Sequence, residues 1–253
     1  MKSRTVAIIQ ARMGSTRLPG KVLLPLGGES VLGNVVKRAQ VATRVDDVVV
    51  ATTTRTTDSG IVDECDRLGV RCYRGPELDV LSRFSLAAGR EDATTVVRIT
   101  ADCPFISPEI IDEVIESRER SGADYASNTL ERTFPLGLDV ECFSVTALLS
   151  ASRLARSSEE REHVTPYIYN HADQFLLASV SALQNYSFLR LTLDREEDLS
   201  FMRHLVDCCP GVADPYYSWE NLVAAVQGSA LLRDLERRAR SAARSDVGNL
   251  SLK

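Results

Sequence analysis

The chain has 253 residues, 44% of them hydrophobic and 26% charged, which is the make-up of a globular protein with enough chain for a large core. A formal net charge of −5 gives no reason to expect a polyanion such as nucleic acid or an acidic membrane surface, so a small-molecule partner is expected. Six cysteines without a Cys-x-x-Cys pair, a start without a signal-peptide core, and no apolar stretch near the ~20 residues that cross a bilayer predict a reduced, cytoplasmic protein with no membrane association.

The first predicted strand, Val6 to Ile9, is apolar throughout and rich in β-branched residues, the pattern of a strand buried on both faces of a mostly parallel sheet. It runs into Gln10-Ala-Arg-Met-Gly-Ser-Thr-Arg-Leu-Pro-Gly-Lys21, where two glycines, two hydroxyl residues, two arginines and a lysine make a phosphate-binding composition. No Asp or Glu occurs before Glu29, so a local positive field sits inside an acidic protein. The loop is not a Walker A motif, because five residues separate Gly14 from Gly20 and Val22 follows Lys21. Nor is it a Gly-x-Gly-x-x-Gly dinucleotide fingerprint.

A helix is predicted from Ser30 to Thr43, a strand at Val48 to Val50, and a second helix from Thr57 to a stop at Gly69. A third strand, Val96 to Ile99, leads through Thr100 and Ala101 to Asp102, at the carboxyl end of a strand where ligands of open α/β sheets bind. Asp102 is either a magnesium ligand or a loop residue capping the next helix. That helix is the clearest in the chain, over residues 107 to 121: Ser107 caps, Pro108 suits the first turn, Ile110, Ile111, Val114 and Ile115 form a stripe, and Gly122 ends it.

From residue 123 to 181 the rhythm changes, with strands expected at Asp124 to Ser127, Leu138 to Phe143 and Phe175 to Ser181, read as a small insertion over the edge of the site. Asp139 and Glu141 fall on one face of such a strand, either to hold acceptor hydroxyls or as its solvent side. Glu162 and His163 are adjacent and able to position or deprotonate an acceptor. A strand at Leu189 to Leu193 precedes Asp194, which reads equally as a second metal ligand or as a helix cap. No Cys/His spacing implies zinc. Strand alternating with helix predicts a three-layer α/β/α domain over residues 1–230, followed by a surface helix and tail over 231–253.

Residues Ile9 to Lys21 as a block resemble the opening motif of the cytidylyltransferases that activate 3-deoxy-manno-octulosonate and acylneuraminate, and more particularly the branch named for spore-coat polysaccharide biosynthesis. Asp79-Val-Leu-Ser-Arg-Phe84, Val97-Arg-Ile-Thr-Ala-Asp-Cys-Pro-Phe105, Gly137-Leu-Asp-Val-Glu141 and Arg161-Glu-His-Val-Thr-Pro-Tyr167 are similar to the same branch, in the same order. The resemblance implies the nucleotide-diphospho-sugar transferase (GT-A-like) fold, CTP as donor, Mg2+ as cofactor, a small acidic or hydroxylated acceptor and a homodimer formed through 123–181. It implies triphosphate contacts at Arg12, Met13, Gly14, Ser15, Arg17 and Lys21, and base or pocket contacts at Ala11, Thr52, Thr53, Arg74, Arg83, Thr100 and Ala101. Asp102 and Asp194 would hold the metal, Lys21 and Arg12 would act on the leaving pyrophosphate, and Asp139, Glu141, Glu162 and His163 would face the acceptor. Ala101-Asp-Cys-Pro104 departs from the Gly-Asp-Glu-Pro of the sugar-acid branch, which leaves the acceptor open. A glycosyltransferase of the related fold and a non-catalytic nucleotide-binding protein are the competing readings.

Overall fold

The structure, a computed structural model, describes residues 3–250, with side chains through Arg244. Strand β1 (Thr5–Gln10) is followed by the Gln10–Lys21 loop and a two-stranded ribbon, β2 (Pro25–Leu26) and β3 (Glu29–Ser30). Then come α1 (Val31–Gln40), β4 (Asp47–Thr53), α2 (Ser59–Leu68), β5 (Arg71–Gly75), α3 (Val80–Arg90), β6 (Thr95–Thr100) and α4 (Pro108–Ser121). The rest comprises β7 (Tyr125–Ser127), β8 (Glu141–Ser144), α5 (Val145–Leu154), α6 (Ser158–His163), α7 (Pro166–Tyr169), β9 (Leu177–Ser179), α8 (Glu196–Cys208), α9 (Trp219–Gly228) and α10 (Ala230–Leu250). The tail expected at the end of 231–253 lies, in its last three residues, outside the described residues.

Seven strands form one sheet in the order β5-β4-β1-β6-β8-β7-β9. Its first four strands are mutually parallel, joined by crossover helices, whereas β8 is antiparallel to both β6 and β7. Successive residues of a central strand point to opposite faces, so Ala7 and Ile9 join one apolar layer with α1, α4 and α8, while Val6 and Ile8 join another with α3, α5 and α7. All four are fully buried, which is why β1 reads as a continuous apolar run and not as an alternation.

Helix ends follow the local chemistry. Ser30 and Ser107 accept hydrogen bonds from Gly33 and Ile110, and Gly69 and Gly122 close α2 and α4 in the left-handed conformation. The changed rhythm of residues 123–181 corresponds to β7, β8 and β9, which extend the same sheet.

Two predicted strands differ. Leu138 to Phe143 becomes strand only from Glu141, because the Asn128 side chain takes the Leu138 carbonyl (2.7 Å) and the Val140 amide (2.9 Å) that a neighbouring strand would otherwise engage. Leu189 to Leu193 is extended but joins the β-structure only through an isolated bridge between Leu136 and Arg190. Leu191 donates to the Leu136 carbonyl (2.7 Å) within that bridge, and Leu193 donates to the carbonyl of Asp102 (2.8 Å). The segment therefore crosses the carboxyl end of β6 and brings Asp194 beside Asp102.

Candidate active site

The carboxyl ends of β1, β4 and β6 lie side by side, with Gln10 in register with both Ala51 and Thr100. The loop leaving β1 is shaped by its backbone. The Met13 carbonyl accepts from the Ser15 amide (2.8 Å) and the Gly20 amide (3.0 Å), and Gly20 takes a φ of 72°, which turns the chain into the 3-10 turn carrying Lys21. The Met13 amide is held in turn by the buried Asp58 carboxylate at 3.0 Å.

Beneath the loop opens a cleft of about 400 Å³, within the range of small-molecule sites. It brings together Ala11, Arg12, Gly14, Ser15, Arg17, Lys21, Arg83, Thr100, Ala101, Asp102 and Asp194 with Glu162 and His163 from α6.

Lys21 is its electrostatic centre. Its ammonium, 8% exposed as a residue, donates to Asp102 Oδ2 (2.7 Å), Asp194 Oδ1 (2.8 Å) and the Leu193 carbonyl (2.6 Å). Burial opposes that charge, but Asp102 and Asp194 outweigh it and raise the lysine above its ordinary pKa. Burial likewise opposes ionisation of Asp194, yet Lys21 and Arg190 hold its carboxyl well below the usual range. Arg17 approaches the same Asp194 oxygen at 3.3 Å, and Arg12 faces Glu162 across the cleft at 3.6 Å.

Asp194 does not cap α8; Asp198 does, accepting from the Asp194 and Arg195 amides at 2.8 and 3.0 Å. Ser107 caps α4, so Asp102 is free of that duty as well. Two carboxylates and a backbone carbonyl converge on one cation, and among the described residues no third His, Cys, Asp or Glu joins them as a metal cluster. Such a sparse set of hard oxygen donors fits magnesium, which keeps waters and substrate phosphates in its octahedron.

Several sequence-predicted residues stand outside the cleft. Met13 faces inward as the anchor of the loop. Thr52 and Thr53 are fully buried and donate to Asp58 Oδ2 at 3.3 and 2.5 Å, so they support the loop from behind. Arg74 clamps the carbonyls of Thr53 (2.9 Å) and Arg55 (2.7 Å). Arg83 does line the cleft, although its guanidinium also binds the Pro76 and Glu77 carbonyls at 2.6 and 2.9 Å, and burial together with Arg12 lowers its pKa. Asp139 forms a bidentate pair with Arg132 at 2.6 and 3.0 Å. Glu141 is 6% exposed and points into the protein, where Arg98, Tyr125 and Thr165 occupy its oxygens. Asp139 lies before the strand, so the two acids share no strand face.

Asp58 and Arg190 are the residues that sequence reasoning missed. Arg190, 8% exposed, binds Asp194 (2.6 Å) and Asp198 (2.9 Å). Neither belongs to a recognisable motif, and only the folded chain shows what each carboxylate or guanidinium meets.

A cationic glycine-bearing loop at the carboxyl end of β1, opposed by Asp102 just beyond β6 and by Asp194 on the crossing segment, defines a nucleotide-binding α/β protein. Comparison with known proteins narrows that class. A cytidylyltransferase family model matches residues 6–235. An uncharacterized protein of Methanocaldococcus jannaschii is 39% identical over 207 residues, covering 80% of this chain and 83% of the relative. The spore coat polysaccharide biosynthesis protein SpsF of Bacillus subtilis is 37% identical over 205 residues, covering 78% and 84%. Among solved structures, a cytidylyltransferase from Leptospira borgpetersenii superposes with a TM-score of 0.85 at 29% identity, covering 91% of this chain and 97% of that one. A CMP:2-keto-3-deoxy-manno-octonic acid synthetase solved with CTP shares the fold, with a TM-score of 0.62 at 18% identity over 81% and 99%. The chain belongs to the cytidylyltransferase family and is a nucleotidyltransferase. No helix among the described residues is long and apolar enough to cross a membrane.

Proposed function

We propose that the protein transfers the CMP group of CTP to a small sugar acid or other acidic, hydroxylated acceptor and releases pyrophosphate. The observation that carries this reading is the junction in one cleft of the loop cations Arg12, Arg17 and Lys21 with the carboxylates Asp102 and Asp194. An acceptor oxygen attacks the α-phosphorus, a new P–O bond forms, and the bond to the β-phosphate oxygen breaks. The protein's work in such a transfer is positioning and charge neutralisation. The backbone amide of Gly14 and the side chains of Ser15, Arg12 and Arg17 bind the triphosphate, and Lys21 meets the charge growing on the pyrophosphate. Mg2+ held by Asp102 and Asp194 would supply Lewis-acid polarisation of the phosphate. Glu162 and His163, on α6 across the cleft from the loop, orient the acceptor and receive its proton. The cytidylyltransferase with which the chain superposes at 0.85, and the related synthetase bound to CTP, support the choice of base.

The reading is tested by ligand linkage, since a nucleotide that binds only the folded state raises its melting temperature. With magnesium present, CTP is expected to raise Tm more than ATP, GTP or UTP. Equal shifts for all four would remove the base assignment.

A further inference from the structure

The turn that carries His163 is held in an unfavourable shape by a buried charged network that reaches back to the floor of the cleft. Val164 has φ 73° and ψ −53°, and the Thr165 amide donates to the His163 carbonyl at 2.9 Å. This is a γ-turn of the strained hand, at a β-branched residue for which positive φ is a true outlier. The next residue is unusual as well: Thr165 precedes Pro166 yet sits at φ −101°, ψ −11°, away from the extended region that a following proline favours. Two consecutive disfavoured conformations persist only where the surroundings over-determine them.

Those surroundings are specific. Val164 is fully buried and Thr165 is 2% exposed, so the turn is nailed into the core although α6 before it is largely exposed. The Thr165 hydroxyl donates to Glu141 Oε1 at 2.5 Å, beside the Tyr125 hydroxyl at 2.7 Å, while Arg98 pairs with the other Glu141 oxygen. Arg98 Nε donates in turn to Gln10 Oε1 at 3.0 Å, and Gln10 lines the cleft at the root of the nucleotide loop. A carboxylate with three donors is a strong, directional fixture in a buried setting. Ordinary core packing explains neither the strained turn nor the charge buried beneath it.

We infer that Glu141 is a positioning residue: with Arg98 and Thr165 it forms a post that holds the Val164 turn and so aims Glu162 and His163 into the cleft. The inference rests on the proposed reading for what these two side chains do, while the post itself is a matter of geometry. It replaces the direct acceptor contact expected of Glu141 with an indirect one, and it links the acceptor side of the cleft to Gln10 on the nucleotide side.

The experiment compares Thr165→Val, Thr165→Ser and Glu141→Gln with the wild type by amide hydrogen exchange and by NMR of the histidine rings, with and without CTP and magnesium. The chain has three histidines, which makes the His163 ring signal assignable. In Thr165→Val and Glu141→Gln the backbone amide at position 165 is expected to exchange about tenfold faster or more, the size of a lost hydrogen bond to a charged group. The His163 signal moves and stops responding to CTP, while exchange in β1 and β6 is unchanged. Thr165→Ser keeps the hydroxyl and behaves as the wild type. An unchanged amide at position 165 and an unchanged His163 signal in Thr165→Val would overturn the inference. So would equal damage from Ser and Val, which would mean that the methyl matters, or faster exchange throughout β1 and β6, which would make Glu141 a general stabiliser. If Glu141→Gln does not fold, the two Thr165 variants decide. Failure of CTP to affect the wild type would defeat the proposed reaction and leave the exchange and rescue results to judge the post.

Discussion

The two sides of the cleft are built by different means. On the nucleotide side, β1, β4 and β6 are parallel and end together, and a short loop is shaped by a few backbone bonds gathered at the Met13 carbonyl. On the other side, residues 123–194 supply an antiparallel strand, three short helices and an extended crossing segment, fastened by side chains: Asn128 on Leu138 and Val140, Glu141 on Tyr125 and Thr165, Arg190 on Asp194 and Asp198. A site of the first kind needs small residues and amides at fixed points and tolerates many side chains around them. One of the second kind depends on each buried polar partner being present, because removing one leaves the other unsatisfied in a low-dielectric interior.

The sides meet at Lys21, which ties the loop to Asp102 just beyond β6 and Asp194 on the crossing segment, and the largest effects are expected there. Asp102→Asn is expected to lower turnover about 1,000-fold, the several kcal/mol that Lewis-acid stabilisation provides, with the fold intact by circular dichroism. Steady-state pyrophosphate release measures it, and near wild-type turnover would reduce Asp102 to a loop residue. Lys21→Ala is expected to lower kcat about 100-fold with a smaller change in KM for CTP, since the ammonium meets charge that grows only in the transition state. The same ammonium competes with a divalent ion for the two carboxylates, so Lys21→Met is expected to bind Mn2+ more tightly than the wild type in the absence of nucleotide. Calorimetry with Mn2+ alone decides that point.

Smaller effects separate the two modes of construction. Gly137 adopts φ 102° and lies so near the crossing segment that a Cβ would stand 2.5 Å from the Leu191 carbonyl carbon. Gly137→Ala is therefore expected to cost about 3 kcal/mol or more, seen as a lower urea midpoint, and to displace Asp194 with it. On the nucleotide side Asp58→Ala removes the acceptor of the Met13 amide and of the Thr52 and Thr53 hydroxyls. A loss of about 2 kcal/mol in urea and weaker CTP binding are expected, because the loop keeps its internal bonds but loses its anchor. An Asp58→Ala variant with unaltered CTP affinity would show that the loop needs no support from Asp58.

Much of the nucleotide side was legible in the chain because its determinants are local. Apolar runs rich in β-branched residues announce strands buried on both faces, Ser107 and Gly122 bracket α4, and Gly14, Gly20 and Lys21 sit in the loop that directly follows a strand. The same reasoning named Asp102, Asp194, Glu162 and His163, which the fold gathers in one cleft. It expected ligand contacts at Thr52, Thr53 and Glu141, whose side chains are buried in hydrogen-bond networks, because their types and positions suit a ligand equally well as such a network.

What the sequence determined by itself is the layered α/β architecture of the first half, the phosphate-binding character of the loop and the family to which its motifs belong. Tertiary structure alone decided that Leu189 to Leu193 leaves the sheet to carry Asp194 to Lys21, that Asp58 stands behind the loop, and that Glu141 turns inward to hold the His163 turn. The reason is range: strand burial, caps and glycine turns are set by neighbours a few residues away. The partners of a buried charge come from elements as far apart as Lys21 and Asp194, and no periodicity in the chain records which of them will meet.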